Sequence, residues 1–215
     1  MCRLLVVSSK KDFEISPFVK EFAQLSKNSL TPDGDRQKDG WGLMTTKNIY
    51  KSIMPIWEDD LHLYDWGNDR LLILHTRSAS NNKNNIEFNQ PFIKDGLVFV
   101  FNGLLKGVKI NIDGKIGSEK LFNLITKFYQ ENTNNYLENF YQLILNKTEL
   151  IVGMNIVIVD LNLNKIHILS VYTQNENYFA LNFFQDQEKT IICSEPILNF
   201  NFKKLISGTL KTIDL

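Results

Sequence analysis

The sequence predicts an α+β domain built on antiparallel sheets. Apolar, β-branched runs fill both ends of the chain, and helical periodicity is confined to one early segment and a central pair. Strands therefore come in runs instead of alternating with helices as in a βαβ protein. With 215 residues, 43% of them hydrophobic, the chain can bury a substantial core, and residues 1–215 read as a single domain.

The elements follow in order. Residues 2–8 form a short apolar run that reads as a buried strand. Ser16-Pro17 supplies an N-cap and a first-turn proline, and Phe18, Val19, Phe22 and Leu25 follow at helical spacing, so a helix to about Lys27 is expected. Residues 28–40 are polar, carry Pro32-Asp33-Gly34 and read as a loop. Its Asp33, Asp35 and Asp39 lack the glycine and closing glutamate of a calcium loop. Residues 41–46 and 49–54 suggest a hairpin around Lys47-Asn48, and residues 71–76 a strand ending in Arg77-Ser78-Ala79-Ser80. Residues 97–101 are apolar throughout, as in a strand covered on both faces, and Asn102-Gly103 reads as a turn before a further strand to Ile112. Leu121, Leu124, Ile125 and Phe128 mark one helix, and Leu137, Phe140, Tyr141 and Ile144 the next. Strands at 154–161, 165–171, 178–184 and 190–194 complete the pattern.

Composition excludes several classes of function. Lys plus Arg (24) balances Asp plus Glu (24), so no net field draws nucleic acid or an anionic membrane. Nothing approaches the roughly 18 to 20 apolar residues that span a bilayer. Two cysteines, Cys2 and Cys193, allow at most one disulfide and no secretory leader opens the chain, so a reducing, cytoplasmic setting is expected. Phosphate-loop, dinucleotide, zincin, serine-hydrolase and thioredoxin motifs are all absent from the sequence. His62, His75 and His167 are widely spaced and read as structural, so neither a metal nor a cofactor is implied.

Cys2 offers chemistry of its own. A small second residue permits removal of Met1, which would put a thiol and a free α-amine on one residue. The reference pKa values, about 7.7 to 8.0 for the amine and about 8.5 for the thiol, let the amine take the thiol proton near neutrality. Nucleophile and base then coincide. Taken alone, a cysteine in a first strand is more often a small buried hydrophobe.

Other motifs accompany it. Cys2-Arg3-Leu4-Leu5, Asp39-Gly40-Trp41-Gly42-Leu43, His75-Thr76-Arg77, Asn89-Gln90-Pro91-Phe92, Phe101-Asn102-Gly103 and Cys193-Ser194-Glu195-Pro196 occur in an order and spacing that resembles the glutaminase domain of class II glutamine amidotransferases, members of the N-terminal nucleophile hydrolases. The match runs from Cys2 to about Ile197 and is most similar to the stand-alone branch, with no acceptor-binding synthase domain following. The resemblance implies a four-layer αββα sandwich. It implies that Cys2 attacks the side-chain amide of glutamine, forming a γ-glutamyl thioester and releasing ammonia, while its α-amine shuttles protons. Asn102 and the N–H of Gly103 would stabilise the oxyanion. Arg77 would hold the substrate α-carboxylate, with Ser78, Ser80 and Glu119 as further substrate-binding positions. The expected partners are glutamine or a γ-glutamyl small molecule and an ammonia-accepting synthase. From the residues themselves, Asp39-Gly40-Trp41-Gly42, Cys193 and Ser194-Glu195-Pro196 read as scaffold.

The sequence departs from the family pattern at the start of the central helix. Gly117-Ser118-Glu119 stands where an aspartate usually accepts the α-ammonium of glutamine. Losing such a charge-assisted hydrogen bond costs roughly 1.5 to 3 kcal/mol. Three alternatives follow: Glu119 or Asp113 substitutes, the substrate is a γ-glutamyl compound without a free α-amine, or the domain is a catalytically weak regulatory or binding subunit of a synthase. Phe101, where histidine is common, is a second departure that affects packing more than chemistry.

Overall fold

The computed structural model describes residues 1–79 and 85–215. Strand β1 (Arg3–Glu14) leads into helix α1 (Ser16–Asn28), followed by β2 (Trp41–Thr45), β3 (Ile49–Ser52), β4 (Asn68–Thr76), β5 (Phe92–Lys94) and β6 (Leu97–Val108). The central helices are α2 (Gly117–Glu131) and α3 (Tyr136–Lys147). Then come β7 (Thr148–Asp160), β8 (Lys165–Tyr172), the one-turn helix α4 (Glu176–Phe179), β9 (Asn182–Gln185), β10 (Lys189–Cys193), β11 (Lys203–Lys204) and β12 (Thr209–Asp214). Seven strands form one sheet in the order β11-β9-β10-β1-β4-β2-β3, and five form the other, β12-β8-β7-β6-β5, with antiparallel pairing throughout.

Side-chain alternation builds the layers. On β1, Leu5 and Val7 pack with Phe18, Val19 and Phe22 of α1, whereas Leu4 and Val6 point the other way and meet Val98 and Val100 of β6. On β6, Leu97, Phe99 and Phe101 turn instead to Leu121, Phe122 and Ile125 of α2 and Phe140 and Ile144 of α3. The order of layers is therefore α1, seven-stranded sheet, five-stranded sheet, α2 with α3. This is the expected αββα sandwich. Both inner strands are apolar on consecutive residues because each has a covered face on either side. Complete burial of a side chain such as Val100 or Leu4 contributes about 1.5 to 3 kcal/mol.

Several elements differ from the sequence expectation. Asn102-Gly103 is no turn: β6 runs straight through it, with Asn102 opposite Asn155 and Gly103 opposite Met154 on β7. The long β7 ladder overrides the local turn preference, and a bulge follows between Leu104 and Leu105. Residues 178–179 belong to α4, and β9 starts only at Asn182. Helix α1 begins behind Ile15, which provides no side-chain cap, so Ser16 lies inside the helix while Pro17 keeps its first-turn place. Strand β1 continues through polar residues to Glu14, and β5, β11 and β12 were not expected. They are short or polar edge strands, held by pairing with a neighbour more than by their own pattern.

Candidate active site

Strands β1 and β4 are neighbours in the seven-stranded sheet, with Arg3 opposite Thr76. The register places Cys2 beside the segment that leaves β4. The Cys2 Sγ lies 3.9 Å from the Ser78 carbonyl, and the Met1 amino group donates to the same carbonyl at 3.2 Å. Cys2 is half-buried and is a free thiol.

Across the gap between the sheets, the Cys2 N–H donates to Asn102 Oδ1 at 3.0 Å. That contact fixes the orientation of the amide, since an N–H needs an acceptor. Asn102 is fully buried, and its Nδ2 has no hydrogen-bond partner among the described residues. A buried amide with one end engaged and its donor end unused is costly, typically about 1 to 3 kcal/mol, unless a ligand completes it. The backbone adds a second donor. The Phe101 N–H points away from β7 to the Gln90 side chain, so by strand alternation the Gly103 N–H, two residues on, leaves the same edge. At Gly103 a Cβ would collide with the Gly153 carbonyl and the Phe101 ring, so no other residue brings this backbone so close.

Arg77 follows directly on β4 and is 5% exposed. Its N–H donates to Gly40 O and its carbonyl accepts from Asp39 N–H, both at 2.9 Å, which ties it to the segment entering β2. The Asp39 carboxylate accepts the Ala79 N–H at 2.7 Å. The Arg77 guanidinium lies over the Phe88 ring, 5.7 Å from its centre. Burial lowers the Arg77 pKa, while the Cys2 thiol and Asp39 oppose that effect. Gly40 has φ +106°, and a Cβ there would strike the Asn89 amide and Ser52 carbonyl. Asp39-Gly40 is thus scaffold for the Arg77 loop.

The remaining expected residues divide. Ser78 supplies its carbonyl to Cys2, and its hydroxyl turns to Asp35 at 3.5 Å. Ser80 lies outside the described residues. Glu119, in the first turn of α2, reaches back to accept the Lys115 N–H, so its carboxylate serves the helix start. Asp113 is exposed and its carbonyl takes the Asn123 side-chain amide. Gly117 heads α2, and a Cβ on it would meet nothing within 4 Å.

Sequence inspection missed the support behind Cys2. The Tyr178 hydroxyl donates to the Cys2 and Met1 carbonyls, each at 3.1 Å. Arg3, buried next to Cys2, stacks on the Tyr178 ring with 3.7 Å to the centroid, donates to Tyr178 O and Ser29 Oγ at 2.9 Å and pairs with Glu195. Desolvation lowers the Arg3 pKa and the Tyr178 and Glu195 charges oppose it, while burial raises that of Tyr178. The apparent signal was the Arg of Cys2-Arg3, one of only 4 arginines in the sequence. Cys193 is fully buried in β10, and burial raises its thiol pKa, which leaves it unreactive packing. No group of three or more His, Cys, Asp or Glu that could hold a metal occurs among the described residues.

No protein-family model matches the chain, and no curated protein matches it in sequence. Solved structures do. A glutamine aminotransferase class-II domain protein from Silicibacter pomeroyi superposes with a TM-score of 0.65 at 14% identity, over 99% of this chain and 95% of that one. Glutamine phosphoribosylpyrophosphate amidotransferase from B. subtilis, solved with ADP and GMP, gives 0.66 at 13% identity, over 99% of this chain and 49% of that one. The fold is that of a class II glutamine amidotransferase domain. At such low identity the shared property is the sandwich fold alone, whose two sheets here bring Cys2 before β1, Arg77 after β4 and Asn102 of β6 to one rim. This chain spans about half the length of the B. subtilis enzyme. Among the described residues no helix is long and apolar enough to cross a membrane.

Proposed function

We propose that this domain hydrolyses the side-chain amide of glutamine, with Cys2 as nucleophile. The observation that carries the proposal is the Cys2–Asn102 contact, which pairs a thiol residue with a buried amide whose donor end is unused. Removal of Met1 makes the Cys2 nitrogen an α-amine. That amine accepts the thiol proton as Sγ attacks the amide carbon, and the oxygen becomes an oxyanion facing Asn102 Nδ2 and the Gly103 N–H. The amine then returns its proton to the leaving nitrogen, so ammonia departs and a γ-glutamyl thioester remains. Water, deprotonated by the same amine, cleaves the thioester to glutamate and restores the thiol. Arg77 holds the α-carboxylate, assisted by Ser78 and Ser80. A synthase that docks on the domain is the proposed destination of the ammonia, and a reducing cytoplasm keeps Cys2 competent.

The open space at Gly117 favours a second reading. With Glu119 committed to Lys115, the α2 start offers no carboxylate to an α-ammonium, which suits a γ-glutamyl bond in a small thiol or peptide metabolite whose amine is blocked. The test uses purified native protein: its N-terminal residue is determined, a glutamine-derived diazoketone is added, and the adduct is located by mass spectrometry. An adduct on an N-terminal Cys2 and ammonia release lost in Cys2→Ala are expected. Retained Met1, or absence of any adduct, refutes the proposal. A panel of γ-glutamyl substrates then separates the two readings by kcat/KM.

A further inference from the structure

His75 is fully buried on β4 of the seven-stranded sheet, yet its Nε2 lies 3.2 Å from the Phe101 carbonyl on β6 of the other sheet. The Phe101 N–H is also taken by a side chain, donating to Gln90 Oε1 at 2.6 Å. Strand β5 covers this edge of β6 only as far as Phe99, which sits opposite Phe92. Two buried side chains, one from each sheet's side of the gap, therefore replace the missing strand at the next pair of backbone groups. Beyond them the following N–H on that edge belongs to Gly103, and Asn102 lies between. The backbone of Phe101 is thus the last point at which this edge is fixed before the two donors assigned to the oxyanion.

We propose that His75 and Gln90 are positioning residues which clamp the Phe101 backbone, one at its C=O and the other at its N–H, and so keep Asn102 Nδ2 and the Gly103 N–H aimed at the substrate oxygen. The inference rests on the glutaminase reading above. A carbonyl accepts and never donates, so the His75 Nε2 carries a proton, while the buried Nδ1 has no acceptor among the described residues and is left unprotonated. Burial favours this neutral ring by lowering the His75 pKa to about 3, with Arg77 and Lys51 acting in the same sense and the Phe101 hydrogen bond opposing. A rigid ring with one donor at its tip spans the inter-sheet gap with little freedom, which is what a fixed oxyanion site requires.

The experiment compares wild type, His75→Leu, His75→Gln and Gln90→Met in ammonia release from glutamine and in the rate of Cys2 alkylation by iodoacetamide. His75→Leu is expected to lower kcat by about 10- to 100-fold, the loss that misplacement by about 1 Å produces, with KM held within about twofold. Alkylation, which forms no oxyanion, proceeds at the wild-type rate. His75→Gln, whose amide N–H reaches the same carbonyl, recovers most of kcat. An unchanged kcat in His75→Leu, a parallel fall in alkylation, or a glutamine variant as poor as the leucine one overturns the inference while leaving the glutaminase reading intact. If His75→Leu does not fold, Gln90→Met carries the same comparison, and failure of both to fold makes the contacts purely structural and ends the proposal. A wild-type protein that neither releases ammonia nor labels at Cys2 refutes the parent reading first.

Discussion

The Cys2 N–H and the Asn102 side-chain carbonyl meet at 3.0 Å, joining the residue that precedes β1 of the seven-stranded sheet to the middle of β6, the strand next to the edge strand β5 in the five-stranded one. The contact would link the proposed nucleophile and the proposed oxyanion donor through a single amide, since Oδ1 accepts from the Cys2 nitrogen and Nδ2 has no partner among the described residues. Replacing Asn102 by Ala is therefore expected to lower kcat for glutamine by about 10² to 10³, or about 2.7 to 4 kcal/mol of transition-state stabilisation. Steady-state ammonia release checks this, and a loss under tenfold would remove Asn102 from the oxyanion site.

Tyr178 holds Cys2 through the Cys2 carbonyl. Tyr178→Phe removes the hydroxyl that holds the Cys2 carbonyl at 3.1 Å but leaves the ring beneath Arg3. A lost neutral hydrogen bond of this kind is worth about 0.5 to 1.5 kcal/mol, so stability falls by about that amount and the rate of Cys2 alkylation by up to about tenfold. Urea unfolding and iodoacetamide kinetics measure the two effects. Equal behaviour of variant and wild type in both would mean the hydroxyl does not position Cys2.

Substitution at Gly117 tests the two proposed substrate classes. Gly117→Asp places a carboxylate at the first residue of α2 where its Cβ meets nothing within 4 Å, and an acid at a helix start is itself favourable by about 0.3 to 1 kcal/mol. For a glutamine substrate with a free α-amine, KM is expected to fall by about tenfold or more with kcat little changed, the worth of a charge-assisted bond. For a γ-glutamyl compound whose amine is blocked, the variant gains nothing. Paired KM measurements on glutamine and on such a compound decide.

The covered faces of the inner strands were legible: Leu4 to Val7 and Leu97 to Phe101 are apolar at every position, as two packed faces require, whereas the four-layer order was implied only by the family resemblance. The motifs singled out Cys2, Arg77 and Asn102, which lie on or beside β1, β4 and β6. Local preference misled where long-range pairing outweighed it. Asn102-Gly103 favours a turn in isolation, yet β7 pairs with it residue for residue and makes it mid-strand. The supporting residues were illegible for a different reason. Tyr178, Ser29 and Glu195 lie 26 to 192 residues from Arg3 in sequence, and only folding brings them to Cys2. Likewise the pattern around His75 gives no hint that its ring crosses to the other sheet.

The acid limb of stability should bear the mark of that ring. His75 titrates near 6.5 when unfolded and at about 3 when folded, so below pH 6.5 the unfolded chain binds one proton more than the native one. Stability from this group is fully present above that pH and declines as pH falls, with a limiting slope of about 1.4 kcal/mol per pH unit. Between pH 6.5 and 5 the loss amounts to about 1.5 to 2 kcal/mol, before most carboxylates begin to protonate. His167, whose pKa burial also lowers, adds to the slope in the same direction. His75→Gln keeps the donor and removes the titration, so its unfolding free energy in urea should lose about one proton's worth of slope across this window. Identical slopes for variant and wild type would mean that His75 is charged in the native state or exposed to solvent.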